Sequence, residues 1–269
     1  MEPVTIPKPA ETFDPAFFQV LFEAEDRHFW FRARNRVIAK VIQGLVAAMQ
    51  PGYKVLEVGC GTGNVLRVLE QTCTRGSVVG MDLFNEGLHY ARQRTSCALV
   101  MGDTRHPPFA HQFNLVCLFD VLEHIPEDVL TMQDLHRLLL PGGTLFLTVP
   151  SRPELWSYFD VASCHRRRYQ LGGLEQKLLG AGLEVDYISE FMAALFPLAW
   201  LKRRLLGSSG RALSPSESRE QAMREFRVFP LLNGILSWLL SLESGWIARR
   251  RRLPFGTSIL VLAHKPGRP

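Results

Sequence analysis

The stretch that decides the fold is VLEVGCGTGN, Val55 to Asn64. An apolar, strand-forming run ends in three closely spaced glycines, Gly59, Gly61 and Gly63, and a helical pattern, NVLRVLEQ, follows at once. Glycine permits the sharp curvature and close backbone approach that such a turn needs. The helix behind it would direct its unpaired N–H groups at a ligand above the turn. Many nucleotide-binding turns share this form. A dinucleotide fingerprint would read G-x-G-x-x-G/A, and Asn64 stands at its last position, so the fit to that motif is incomplete.

Outward from this turn, short apolar runs alternate with helical stretches. YKVLEV, SVVGMD, CALVMGD, FNLVCLFD and GGTLFLTVP read as strands; NVLRVLEQ, EGLHYARQR and EDVLTMQDLHRLL read as the helices between them. Nearly continuous apolar strands alternating with helices predict a parallel sheet covered on both faces. Ligands of such sheets bind beyond the carboxyl ends of the strands. The residues just after each strand are therefore informative. Asp82 ends the second strand, about 20 residues beyond the glycines, where a carboxylate can accept from ribose hydroxyls. Asp103 follows the third strand and Asp120 ends the fourth. Each Asp alone could cap a helix. With LLLPGGTLFLTVP, which supplies the turn into the fifth strand, four such features in one order are harder to reach by chance.

Taken together, VLEVGCGTG, GMD, GDTRHPPF, FDVLEHI and LLLPGGTLFLTVP resemble the class I S-adenosylmethionine-dependent methyltransferases over roughly Tyr53 to Pro150. HFWFRARN and CHRRRY, on the flanks, are similar to a bacterial small-molecule subgroup. The resemblance implies an α/β, Rossmann-like fold with a mostly parallel seven-stranded sheet and helices on both faces. It also implies S-adenosyl-L-methionine as cofactor. Glu57 and the turn Gly59, Cys60, Gly61 and Gly63 would hold its methionine end. Asp82 would bind the ribose, Leu83 would pack on adenine, Asp103 would accept from the adenine amino group with Thr104 beside it, and Asp120 and Val121 would line the pocket near the sulfonium. Asn114 in FNLV departs from the family's usual acidic residue, at the start of a strand and away from the expected site.

The chain is expected to divide into an N-terminal helical lid (1–50), the cofactor-binding core (51–190), a helical cap or membrane-associating insertion (191–255) and a closing strand with its tail (256–269). In the lid, a helical pattern runs from Pro15 to Met49, and Trp30 and Arg34 could cover the cofactor and meet the acceptor; an ordinary amphipathic helix packed on the sheet is the alternative. LEVDYISEF and GTSILVLAHK read as the last two strands, and GSSGRALSPSES as a linker.

Methyl transfer needs alignment and exclusion of water, and a general base when the acceptor is a hydroxyl or weakly acidic carbon. The base candidates are His165, His124 and Tyr169, each of which could instead be a structural residue. Arg166, Arg167 and Arg168 could clamp a carboxylate or phosphate, and one of the three is expected to face the pocket; the alternative is that at least one pairs internally, for instance with Asp160. No C-x-x-C or H-E-x-x-H occurs, so no metal is expected.

The net charge of +5 is uneven: −3 through Pro150 and +8 beyond it. Arg249 to Arg252 follow an apolar segment, LLNGILSWLLSLESGWIA, and Lys202, Arg203 and Arg204 follow another, FMAALFPLAWL. On a helical wheel Leu231, Ile235, Trp238, Leu239, Leu242 and Trp246 share one face, opposite Asn233, Ser237, Ser241 and Ser244; Glu243 intrudes on the apolar side. Such a helix could rest on an anionic membrane surface or cap the acceptor pocket. No apolar run reaches 18 residues, so a spanning helix is not required. Five cysteines, an odd number, fit reduced thiols in a cytoplasmic protein, peripheral at the inner membrane face if the helix meets lipid. The leading expectation is O- or C-methylation of a small-molecule or lipid-like acceptor. The alternative is an RNA-modifying or RNA-binding protein of the same fold; nucleic acid ranks below because no basic stripe is interleaved with aromatics and DVLE replaces the D/N-P-P-Y/F turn of many amino-methylating enzymes. The oligomeric state is not legible.

Overall fold

The computed structural model describes residues 13–110, 112–206, 221 and 230–267. The stretch at 207–218, residues 1–12, and the side chains of Lys202, Arg203, Arg204 and Leu231 lie outside that description.

Seven strands form one sheet: β1 (Lys54–Val58), β2 (Ser77–Asp82), β3 (Ala98–Met101), β4 (Phe113–Phe119), β5 (Leu139–Pro150), β6 (Glu184–Phe191) and β7 (Ser258–His264). Their order is β3-β2-β1-β4-β5-β7-β6. β1 to β5 run parallel, and β7 inserts antiparallel between β5 and β6. The segment GTSILVLAHK is thus the sheet's closing strand in sequence but an interior strand in space, which is why Ser258 to Ala263 are all buried.

The helices are α1 (Phe17–Ala24), α2 (Phe29–Ala47), α3 (Asn64–Thr72), α4 (Asn85–Ala91), α5 (Asp128–Leu138), α6 (Tyr158–Ala162), α7 (Leu171–Gly180), α8 (Phe196–Leu206) and α9 (Pro230–Ala248). One core joins α2, α3 and α9 to the sheet through Val37, Ile38, Leu66, Leu69, Phe146 and Leu240. The other joins α5 and α7 to it through Met132, Leu135, Leu174 and Leu178. Both faces are covered, so the strand interiors tolerate apolar residues on both sides.

Two sequence expectations change in three dimensions. The helical pattern from Pro15 to Met49 is broken at residues 25–28, because the polar groups there have partners elsewhere. Glu25 accepts from Thr62 and from Arg94, and Asp26 from Arg67, which ties the end of α1 to the glycine turn, to α3 and to the turn after α4. Asn233 of α9 then fills the gap: its Oδ1 accepts from the Phe29 N–H at 2.6 Å and its Nδ2 donates to Arg27 O at 2.9 Å. It therefore satisfies a donor that the first turn of α2 leaves free.

The second concerns α9, whose apolar face does not line the pocket but turns outward. Asn233, Ser237 and Ser244 are buried against α2, whereas Ile235, Trp238, Leu239, Leu242 and Trp246 are 50%, 61%, 36%, 59% and 44% exposed. Small side chains let the two helices approach closely, and Leu236, Leu240 and Ile247 complete the buried face. Glu243 is not an intruder on the apolar side. It turns inward, and its Oε1 accepts from the Ala194 N–H at 3.1 Å.

Candidate active site

A cavity of about 1320 Å³ lies over the carboxyl ends of the strands, roofed by α1, α2 and α9. The glycine turn forms its floor. Gly59 has φ of +72°, and a Cβ there would stand 2.4 Å from Val121 Cγ2, so only glycine lets the turn meet the loop after β4. The Gly61 N–H donates to Asp82 Oδ2 at 2.7 Å and the Phe84 N–H to Oδ1 at 2.9 Å. Burial pushes the Asp82 carboxyl up to about 6, against the pull of these backbone donors.

Glu57, at the end of β1, is buried, and burial drives its carboxyl well above the usual carboxylate range while Arg34 opposes the rise. Its Oε2 has no hydrogen-bond partner among the described residues, and neither has Arg34 Nε. Arg34 reaches over from α2, with Nη1 2.8 Å from Asp120 Oδ2 and its guanidinium 4.8 Å from the Trp30 ring. Asp120 is held at φ of +54°, an uncommon conformation that aims the carboxylate back toward α2. A carboxyl oxygen and a guanidinium N–H without partners among the described residues thus belong to two side chains that line one chamber, a donor set suited to an amino-acid zwitterion. Leu83, Asp103 and Thr104 line the other end. Burial pushes Asp103 up, but Arg105 prevails, gripping both oxygens (Nη2 to Oδ2, 2.6 Å) and holding the carboxyl below its ordinary value.

The third wall carries the titratable cluster. Ser157 and Asp160 form a capping box at the start of α6, which fixes Asp160 in place. Asp160 Oδ1 then lies 2.9 Å from His165 Nδ1 and 2.8 Å from Arg168 Nε. The other nitrogen, His165 Nε2, lies 3.8 Å from Glu123 Oε1. Glu123 is fully buried, and neither of its oxygens has a partner among the described residues. Burial, and then the nearby Asp120, push its carboxyl well above the usual range. His124 packs edge-on to His165 at 4.8 Å between ring centroids; burial lowers it to about 3, and His165 adds to the effect. An aromatic wall of Phe13, Phe18 and Phe84 adjoins, with Phe13 set 5.9 Å from the His124 ring.

Glu57, Gly59, Cys60, Gly61, Asp82, Leu83, Asp103, Thr104, Asp120, Val121, Trp30, Arg34, His124, His165, Arg166 and Arg168 all line this cavity; Gly63 instead caps α3 beneath it, at φ of +76°. Two further sequence candidates do not. Arg167 turns outward, where Nη1 meets Asp128 Oδ2 at 2.7 Å. Tyr169 is buried in the core and donates to Asp128 Oδ2 at 3.1 Å; burial, with Asp128, pushes its hydroxyl up, so it is unsuited to act as a base. A β-bridge between Ser151 and Tyr169 fixes both outcomes, since in the extended HRRRY run Arg168 turns to Asp160 while Arg167 and Tyr169 both meet Asp128. Glu123 and Asp160 were not read as site residues. The capping pattern Ser157-Tyr158-Phe159-Asp160 was the available signal for one, and FDVLEH for the other. Glu123, His124 and His165 also bring one ligand atom each within 4.8 Å of the others, a spacing that no contiguous metal motif announces.

The methyltransferase-domain family matches residues 29–188. A demethylmenaquinone methyltransferase of Staphylococcus epidermidis is 31% identical over 123 residues, covering 44% of this chain and 51% of that protein. A ubiquinone biosynthesis O-methyltransferase of Pseudomonas aeruginosa is 34% identical over 121 residues, covering 42% and 51%. The chain therefore spans about half the length of the curated relatives it matches. Among solved structures, a methyltransferase in complex with the Haloferax volcanii Trm112 methyltransferase activator superposes with a TM-score of 0.61 at 19% identity, over 95% of both chains, which speaks for the fold alone. Because the family match takes in the glycine turn, the acidic strand ends and the titratable wall together, this chain belongs to the class I S-adenosylmethionine-dependent methyltransferases.

Proposed function

We propose that the protein transfers a methyl group to a hydroxyl, or to an enol-type carbon, of a lipid-like small molecule, at a membrane surface. The observation that carries the reading is the Asp160–His165 pair, which opens its free nitrogen onto an aromatic-walled chamber. The bound cofactor supplies an electrophilic methyl on a sulfonium. Glu57 and Arg34 would hold its ammonium and carboxylate, Asp82 its ribose hydroxyls, and Asp103 with Leu83 its adenine. Holding the amino-acid end would draw Arg34 partly from Asp120.

His165 Nε2 would take the acceptor's proton as the oxygen forms its bond to the methyl carbon and the S–C bond breaks. The acceptor hydroxyl would approach Nε2 from the cavity, and the buried Glu123 carboxyl stands 3.8 Å from that nitrogen. Burial pushes the Glu123 carboxyl upward, which disfavours a negative charge beside that nitrogen. Phe13, Phe18 and Phe84 would exclude water from the reacting centre. The quinone-related names of the two relatives support an apolar acceptor, and the outward apolar face of α9 supports delivery from a membrane. In this reading residues 191–255 serve as a cap whose far side meets lipid.

The test is incubation with methyl-labelled cofactor and lipid or aqueous metabolite extracts, followed by product mass. Label in an apolar product is expected. Label confined to water-soluble products would overturn the lipid-like acceptor, and absence of cofactor binding to folded protein would overturn the whole reading.

A further inference from the structure

The outer side of the α2–α9 contact carries a feature that the methyl-transfer site does not use. Arg32, Arg36 and Lys40 project from α2 into a shallow groove whose other side is Gly234, Ser237, Trp238, Ser241 and Ser244 of α9. The three cations are four residues apart, so they share one helix face and span about 12 Å. All three are exposed, and none meets a carboxylate among the described residues. Among the described residues Arg36 donates to Ser237, to its carbonyl at 3.3 Å and its hydroxyl at 3.4 Å. A fourth cation stands near the groove's end, just past α9: Arg249 Nη1 donates to the Gly245 carbonyl at 3.1 Å, and an added Cβ at Gly245 would stand 3.4 Å from it and 3.9 Å from Lys40 Nζ. The hydroxyls of Ser241 and Ser244 are already committed to carbonyls of their own helix, at 2.7 and 2.6 Å. Donors to an added ligand are therefore the cations, and the ligand is an anion.

We propose that this groove binds the phosphate of an anionic phospholipid headgroup. Four clustered cations with no counter-charge among the described residues repel one another, and a phosphate would relieve that repulsion with charge-assisted, bidentate bonds from arginine. Lipid, rather than free phosphate, is the source because the groove borders the exposed apolar face of α9. Trp238 belongs to both: it lines the groove and is 61% exposed beside Leu239 and Leu242. With the phosphate in the groove, these side chains would enter the boundary between headgroups and acyl chains, where tryptophan is favoured. Arg251, stacked 4.8 Å from the Trp246 ring, would stay at headgroup level at the far end of the same helix. The inference rests on the membrane reading proposed above and adds to it a site and a lipid class.

The experiment is flotation of the full chain with vesicles of phosphatidylcholine alone and of phosphatidylcholine with phosphatidylglycerol. Arg32→Gln/Lys40→Gln is compared with wild type; it leaves Arg36 and its bond to α9 intact, and a thermal melt checks its fold. Each lost cation should weaken partitioning to the anionic vesicles about fivefold, so the double variant loses about 25-fold while partitioning to phosphatidylcholine is unchanged. Trp238→Ser/Leu242→Ser should instead weaken binding to both vesicles. Equal binding of the double variant and wild type to anionic vesicles would overturn the groove and leave the membrane reading standing. Failure of wild type to bind either vesicle would overturn the membrane reading itself. A melt raised equally by inorganic phosphate in wild type, lost in the double variant, with no preference among vesicles, would overturn the lipid assignment.

Discussion

His165 Nδ1 lies 2.9 Å from Asp160 Oδ1, and that distance sets the chemistry of the ring. A carboxylate opposite Nδ1 keeps the proton on that nitrogen, and the lone pair is left on Nε2, which faces the cavity. Asp160 is itself fixed twice, by the capping box with Ser157 and by Arg168. The ring is thus oriented by a small helix that the sequence encodes locally.

Replacing His165 by Gln should lower kcat by about 100-fold or more while leaving cofactor affinity unchanged, because the lost group acts only on the acceptor's proton. Asp160→Asn should have a smaller effect on kcat, with a lowered melting temperature from the weakened cap. Single-turnover rates and calorimetry separate the two. Turnover should also survive a chelator; loss of activity on chelation, restored by a divalent ion, would assign Glu123, His124 and His165 to a metal instead.

Asp82 gives a pH dependence to cofactor binding. Its carboxyl is raised to about 6 in the folded protein, so the native state keeps a proton that the unfolded chain gives up near 4. The cofactor-free protein therefore loses stability from this group as pH rises from about 4 to 6. Ribose hydroxyls bind the ionised form, so cofactor affinity should rise with pH to a plateau above about 6. Titration calorimetry across that range checks it, and Asp82→Asn should remove both the pH step and most of the affinity.

His124 acts in the opposite sense. Its ring is held neutral, with a pKa of about 3 against 6.5 when unfolded. The unfolded chain binds the extra proton in that window, so stability from this group is complete above about 6.5 and declines as pH falls toward 3. Denaturant midpoints measured between pH 7 and 4 should fall less steeply in His124→Asn than in wild type.

Gly59→Ala should be destabilising by roughly 2–4 kcal/mol, because it imposes both a disfavoured φ and a clash with Val121. Adding Val121→Ala should recover the part due to the clash and leave the part due to φ. Melting temperatures of the two single variants and the double variant give the partition.

Much of the cofactor side was legible. Glycines, strand-end carboxylates and alternating apolar runs are local signals, and the sheet's topology carries them to one edge. The acceptor side was less so. Arg167 and Tyr169 were indistinguishable from Arg166 and Arg168 as sequence, yet a single β-bridge at Tyr169 decides which of them meets Asp128 and which reaches the cavity. Glu123 reads as an ordinary charged residue until its complete burial without a partner is seen.

The sequence by itself determined the strand rhythm, the turn that needs glycine, and the amphipathic wheel of α9, because each depends on neighbours along the chain. It did not determine which face of that wheel is buried. Hydrophobicity alone would turn Ile235, Trp238, Leu242 and Trp246 inward. The tertiary structure turns Asn233, Ser237 and Ser244 inward instead, since Asn233 completes the first turn of α2 and small side chains let the two helices close together. Packing and hydrogen bonding to a distant helix, rather than local pattern, decided that this protein presents an apolar face outward.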